Sequence, residues 1–303
     1  MLNKRKVVVT GGAGFIGSHL VEHLVALGHD VHVIDNLVAG KREYVHPKAS
    51  LYVVDIRNQD ALLPIFEGAD TIFHLAALPS VPYSIENPVE THEVNALGTL
   101  KIIMAARGTG VRRIVYSSSS AVYGDQEVVP IYENALCEPK SPYGLQKLES
   151  EHYLRLASEL YGLETVSLRY FNLYGPRQSA SGPYASVVAR FIDQCASGEP
   201  LTVVGEGKQT RDFVHVLDVV SANIRAMDNP LVGNGEVVNI GGGKSYSVLD
   251  VANIVGGEIT YLPPRVEIMN SFAAIDRASE LLGWEPQKQF SEGITHLKRV
   301  RGI

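Results

Sequence analysis

The chain has 303 residues, of which 45% are hydrophobic and 20% charged, with a formal net charge of −6. That length supports one large domain or a large and a small one, and no basic stretch offers a nucleic-acid footprint. Two cysteines, Cys137 and Cys195, exclude a disulfide framework, and no stretch of ~18 apolar residues is present to cross a bilayer.

Lys6–Thr10 (KVVVT) reads as the first strand; glycines end it at once, so it is too short for a signal-peptide core. A cytoplasmic, soluble protein is expected. Phe15–Leu27 reads as a helix. Val31–Ile34, Leu51–Val54, Thr71–Leu75 and Arg113–Tyr116 follow as strands, each apolar throughout, as in parallel strands covered on both faces. Helical patterns fall at Asn58–Glu67, Pro88–Arg107 and Pro142–Tyr161, and another strand at Thr165–Arg169. This alternation predicts an α/β fold with a Rossmann-type, doubly wound parallel sheet. Beyond Leu173, glycine and proline become frequent and helices shorter. Residues 1–173 are therefore read as the sheet domain and 174–303 as mainly a smaller α/β lobe, with some segments returning to the sheet.

Between the first strand and the first helix stands Thr10–Ser18 (TGGAGFIGS), which contains Gly12-x-Gly14-x-x-Gly17 preceded by Gly11. Glycines there let backbone N–H groups approach a pyrophosphate at a helix N-terminus. Alone, the pattern equally suits an ordinary glycine turn. Asp35 ends the second strand 18 residues after Gly17. A carboxylate at that place accepts from adenosine ribose hydroxyls and repels a 2′-phosphate, favouring NAD over NADP. Lys41 and Arg42, nearby, pull the other way.

Tyr143 and Lys147 lie four apart on the helix that begins at Pro142, and so share a face. A phenol with an ordinary pKa near 10 is a poor base at neutral pH, but an ammonium and a nicotinamide cation beside it favour the phenolate. Ser117–Ser120 follow the strand RRIVY, at the strand end where open α/β sheets bind ligands. A serine there can relay the proton of a reacting hydroxyl or simply cap the strand end. Chemistry alone does not choose among the four.

Taken together, TGGAGFIGS, VIDN, HLAA, YSSSSAVYGD, SPYGLQK, LRYFNLYGPRQ and TRDFVHVLD resemble the extended short-chain dehydrogenase/reductase family, in particular its nucleotide-sugar epimerases and dehydratases. The resemblance spans nearly the whole chain. It implies a catalytic Ser119, Tyr143 and Lys147. It implies a cofactor site of Gly11, Gly14, Phe15, Ile16 and Gly17 in the turn, with Asp35 and Asn36 on the ribose and Asp55 and Ile56 on the adenine side. Ala76 and Asn95 would lie along the cofactor, joined by Tyr143 and Lys147, with Tyr170 and Phe171 beside the nicotinamide. Asn172, Arg211 and Arg265 would contact the substrate diphosphate, and Ser80, Ser119 and Ser271 the sugar. No metal is implied.

The family's 4,6-dehydratases carry an Asp-Glu pair before Val-Tyr-Gly, and its decarboxylases usually keep a Glu. This chain has Ser120-Ala121 before Val122-Tyr123-Gly124, which disfavours both chemistries and resembles a 4-epimerase. The implied reaction is reversible oxidation of a UDP-hexose at C4, turnover of the 4-keto sugar in the site, and reduction from the opposite face with NAD retained. Leu78–Pro82 and the small Ser271 resemble epimerases that admit N-acetylated hexosamines. Pro264-Arg265-Val266-Glu267 departs from the family's Arg-Pro-Gly-Asp/Glu and is a residue short. The helix Val248–Val255 is clipped. A homodimer through the helices Pro88–Arg107 and Pro142–Tyr161 is implied; Leu97, Leu100, Ile103 and Met104 suit either that interface or the core. Competing readings are an epimerase or dehydrogenase of another nucleotide sugar, such as a UDP-uronate or dTDP-hexose, and a non-catalytic NAD-binding regulator.

Overall fold

Val7 and Val9 pack on one side of the central sheet and Val8 on the other, all three fully buried. This is why the first strand reads as continuously apolar. The computed structural model describes residues 4–180, 186–264 and 269–303.

In chain order the first elements are β1 (Lys6–Thr10), α1 (Phe15–Ala26), β2 (Asp30–Ile34), β3 (Ser50–Tyr52), α2 (Gln59–Phe66) and β4 (Thr71–His74). Then come α3 (Val81–Glu86), α4 (Pro88–His92), α5 (Gly98–Thr109), β5 (Arg113–Ser119), α6 (Pro142–Tyr161) and β6 (Glu164–Tyr170). The second half holds β7 (Asn172–Tyr174), α7 (Val187–Ser197), β8 (Leu201–Val204), β9 (Thr210–His215), α8 (Val216–Asp228) and β10 (Asn234–Ile240). Last are β11 (Ser245–Ser247), α9 (Val248–Val255), β12 (Ile259–Leu262), β13 (Asn270–Ser271), α10 (Asp276–Leu282) and α11 (Phe290–Arg301).

The central sheet has the order β10-β6-β5-β4-β1-β2-β3, every neighbouring pair parallel. Strand order reverses between β1 and β4, and a crevice opens there beyond the carboxyl ends. Val7, Leu20, Leu24, Val33, Val219 and Met227 belong to the core layer under α1 and α8. Ile34, Leu62, Phe66, Ile102, Ile114 and Leu154 form the opposite layer under α2, α5 and α6. Three elements beyond residue 173 belong to this body: α8, β10 and α10, with Trp284 buried behind α10.

The smaller lobe is built on β9, which pairs with β7, β11 and β13. Beside it β8 and β12 form a parallel pair. Phe191, Leu201, Phe213, Val251, Phe290 and Ile294 make its core. Helix α9 has the expected bounds because Ser247 and Asp250 cap its start reciprocally.

Two expectations change. The helix expected over Pro88–Arg107 is not one regular α-helix, because Glu93–Leu97 takes a π-helical turn between α4 and α5. Strand β5 runs on through Ser119, because its serines stay paired with Leu168, Arg169 and Tyr170 of β6. Ile103 is fully packed in the core, whereas Leu97 is 40% exposed. Cys137 and Cys195 are both free thiols. Among the described residues no helix is long and apolar enough to cross a membrane.

Candidate active site

The glycine turn sits directly against the end of β4. Gly11 has φ +71°, and a Cβ there would lie 2.7 Å from the Ala76 nitrogen. A Cβ on Gly17 would lie 2.2 Å from the Gly11 carbonyl oxygen, and one on Gly12 would lie 2.7 Å from Val33. These three glycines are demanded by the fold itself. Gly14 differs, for its Cβ would meet only the Gly11 carbonyl oxygen at 3.2 Å. It caps α1 with extended backbone and leaves the N-terminal amides of Phe15 and Ile16 at the crevice.

Asp35 is buried beside this turn. Its carboxylate accepts from the Ala13 N–H at 3.0 Å and the Leu37 N–H at 2.9 Å. The following loop closes over it: Leu37 holds φ +61°, and a Cβ on Gly40 would lie 2.8 Å from both carboxylate oxygens. Asn36 donates to Asp55 at 3.3 Å. The Arg57 guanidinium holds Asp55 down at about 2, with two side-chain bonds of 3.0 and 2.8 Å. The Asp55 side chain is thus committed to Arg57, and Ile56 is buried under α5.

The end of β5 faces α6, whose start is set by the Ser141 cap and Pro142 in its first turn. The Ser119 hydroxyl accepts from the Ala121 N–H at 3.2 Å, capping the turn after β5, and it stands near the Tyr143 phenol. The Lys147 ammonium donates to the Ser117 carbonyl at 2.7 Å and lies 5.9 Å from the Tyr143 ring centre. Burial pushes Tyr143 up to about 12, against the influence of Ser119. It pulls Lys147 down to about 7, against the attraction of Glu151. The phenol becomes a useful base only where positive charge gathers beside it.

Asn95 is fully engaged by protein. It accepts from the Leu78 N–H at 2.8 Å and donates to the Leu78 carbonyl at 3.1 Å and to Gln146 at 2.9 Å. Its side chain therefore holds the loop after β4. Tyr170 turns into the core, where its hydroxyl meets Ser117 at 3.1 Å and Asn223 at 2.7 Å. Phe171 is packed with Tyr123, Val122 and Ile131.

On the lobe side, Arg211 of β9 stands in register with Ser271 of β13. Asn172 donates to the Asp212 carbonyl at 3.1 Å. Ser80 caps α3, accepting from the Tyr83 N–H at 3.2 Å. Arg265 lies outside the described residues.

Residues outside the Ser-Tyr-Lys cluster build the frame of the site, and of these Ser84 lies in none of the sequence motifs. Ser84 accepts the Tyr143 N–H at 3.1 Å. His74, held neutral by burial, bridges the Thr10 hydroxyl at 2.8 Å and the Thr99 hydroxyl at 2.9 Å. Thr10 in turn accepts the Ala76 N–H at 3.2 Å. This chain of bonds links the glycine turn to α5.

A glycine turn stands at the sheet's reversal point and a Ser-Tyr-Lys cluster where the end of β5 faces α6, and residues 7–241 match the NAD dependent epimerase/dehydratase family. The chain belongs to that family. NAD is its cofactor, and the open approach at Gly14 and the ammonium of Lys147 fit it. Among curated relatives, the UDP-glucose 4-epimerase of Mycolicibacterium smegmatis is 38% identical, covering 95% of this chain and 96% of its own. The crystal structure of UDP-glucose 4-epimerase with UDP-glucose from Thermotoga maritima is 38% identical, with 97% of each chain covered and a TM-score of 0.92. The UDP-N-acetylglucosamine 4-epimerase of Methanobrevibacter ruminantium M1, in complex with UDP-N-acetylmuramic acid, is 35% identical, with both chains fully covered and a TM-score of 0.94. As an epimerase/dehydratase family member, the chain keeps a smaller lobe beside the central sheet.

Proposed function

We propose that the protein interconverts the C4 epimers of a UDP-hexose, UDP-galactose and UDP-glucose first, and their N-acetylhexosamine forms as well. The observation that carries this is the arrangement of Ser119, Tyr143 and Lys147, with Ala121 where an acid or base for elimination would have to stand. NAD, when bound, supplies the hydride acceptor and donor and a positive ring at the reacting carbon. The protein's part is protonic and positional. Tyr143 takes the 4-hydroxyl proton, with Ser119 orienting that hydroxyl, and later returns it. Lys147 favours the phenolate and, anchored on Ser117, presents its remaining N–H groups to the cofactor ribose.

In this reading the turn residues Gly11 to Gly17 cradle the pyrophosphate, Asp35 and Asn36 take the adenosine ribose, and the Asp55–Ile56 backbone flanks the adenine. Arg211 and Asn172 meet the substrate diphosphate. Ser271, small and adjacent to Arg211, leaves room for an N-acetyl group. A homodimer suits the exposed apolar side chains on the outer helices, Val89 at 72% and Leu145 at 57%. The free thiols suit a reducing, cytoplasmic setting.

The deciding experiment incubates the protein with NAD and UDP-galactose or UDP-N-acetylgalactosamine and follows the sugars by proton NMR. The matching gluco epimer is expected without accumulating NADH. Bound NAD with neither sugar changed overturns the substrate assignment and moves the test to UDP-uronates and dTDP-hexoses. Net NADH release marks a dehydrogenase instead.

A further inference from the structure

Three successive serines of β5 each meet α6 in a different way. The Ser119 hydroxyl meets Tyr143, the Ser117 carbonyl meets Lys147, and the Ser118 hydroxyl donates to Glu151. On α6 these partners are spaced four apart, so Tyr143, Lys147 and Glu151 form one line down a single helix face. Glu151 closes that line from below and is 5% exposed. Arg169 of β6, also buried, clasps it with two parallel bonds, Nε to Oε1 at 2.9 Å and Nη2 to Oε2 at 2.6 Å. The guanidinium is itself fixed over the Tyr123 ring at 4.6 Å and donates to the Glu133 carbonyl at 3.3 Å.

A buried carboxylate held this firmly is costly to build, because both ions leave water. It gains nothing for a cofactor or sugar directly, since Lys147 and the serines stand between. What it does touch is the frame on which Lys147 and Ser119 are mounted. We propose that Glu151, oriented by Arg169 and Ser118, is a positioning residue that holds the β5 serine run against α6 and sets a negative charge one helical turn from the Lys147 ammonium.

The groups facing Lys147 support this. On α6 they are Tyr143 above and Glu151 below; on β5 the Tyr116 ring lies 4.7 Å from the ammonium; on β4 His74 is buried and neutral. Burial lowers Lys147, and Glu151 is the group that opposes it. Arg169 bonds Glu151 at the end of the side chain far from its helix, so in this proposal the pair is an anion near Lys147 and a cation beyond it.

The proposal rests on the proposed function only for what Lys147 does in turnover, so its test needs no sugar. The NAD-loaded protein, labelled with carbon-13 on its lysine side chains, is titrated by NMR, with Lys147 assigned by its loss in Lys147→Arg. Glu151→Gln is expected to move the Lys147 midpoint down by about one pH unit, and Arg169→Gln to move it up. A role confined to packing would not move the midpoint in opposite directions. An unchanged midpoint in both variants, or a shift of the same sign, overturns the proposal. If an orphaned charge prevents either variant from folding, Glu151→Gln with Arg169→Gln takes its place, removing both charges of the pair so that neither is left without its partner. There the midpoint is expected to fall, and an unmoved midpoint overturns the proposal.

Discussion

The Lys147 ammonium and the Ser117 carbonyl meet at 2.7 Å, tying the first half of α6 to the end of β5. The lysine making this bond is buried and drawn down to about 7 from 10.5. Between those values the unfolded chain binds the proton more readily than the folded one, so this group's contribution to stability rises with pH through that window. Unfolding in urea without cofactor, compared with Lys147→Met, is expected to show the wild type gaining on the variant from about pH 7 to 10. A difference that stays flat contradicts a lysine held in this way.

Tyr143→Phe removes one hydroxyl from a side chain whose backbone N–H is anchored on Ser84. Turnover of UDP-galactose is expected to fall by ~10²–10⁴-fold, the usual worth of a positioned acid–base group. Thermal unfolding and NAD binding should stay close to wild type. Retained turnover removes Tyr143 from the proposed chemistry.

The glycine turn separates folding from binding. Gly17→Ala forces a methyl to 2.2 Å from the Gly11 carbonyl oxygen and is expected to cost about 1–3 kcal/mol of stability. Gly14→Ala meets only one atom at 3.2 Å and should fold nearly as well, while losing NAD affinity. Calorimetry of folding and of NAD binding on the two variants reads the contrast. Equal stability losses in both would mean that Gly14 serves the fold alone.

Asn95→Ala leaves the Leu78 amide and carbonyl and the Gln146 side chain without their partner. A stability loss of about 2 kcal/mol or more is expected, since buried polar groups left unpaired are costly. Because the freed loop carries Ser80, KM for the sugar nucleotide should rise more than kcat falls. Steady-state kinetics beside urea melts decide it.

Ser271→Tyr tests the room beside Arg211. The larger side chain is expected to lower activity on UDP-N-acetylgalactosamine about tenfold or more relative to UDP-galactose. Equal losses on both sugars would place the N-acetyl group elsewhere.

Much of this site was legible where local chemistry decides structure. Helix Pro142–Tyr161 has its expected bounds, because Ser141 caps its start and Gly162 turns left-handed at its end. The seat of Tyr143 and Lys147 on one face follows from helical spacing alone. Choosing among four serines did not, because the choice depends on which of their atoms meets α6. The π-helical turn at Glu93–Leu97 was hidden for a similar reason, since Asn95 is drawn to Leu78 and Gln146 across gaps of 17 and 51 residues. Ser80 read as a sugar contact and is also a helix cap, a role that Pro82 in the following turn signals as Pro142 does after Ser141. The spacing puts Glu151 in line with Tyr143 and Lys147, but only the pairing of β5 with β6 beneath α6 makes Arg169 its partner.

The return of β10 to the edge of the central sheet has a consequence for how the molecule holds together. The chain leaves the sheet for the lobe after β6, comes back through α8 and β10, leaves again through β11 and α9, and returns for α10 before ending in the lobe at α11. The two bodies are laced rather than strung. A protease cut in one lobe loop would nick the chain without setting a fragment free. A lobe laced in this way has no single hinge to swing on, so any closure over a bound sugar would have to be shared among several crossings.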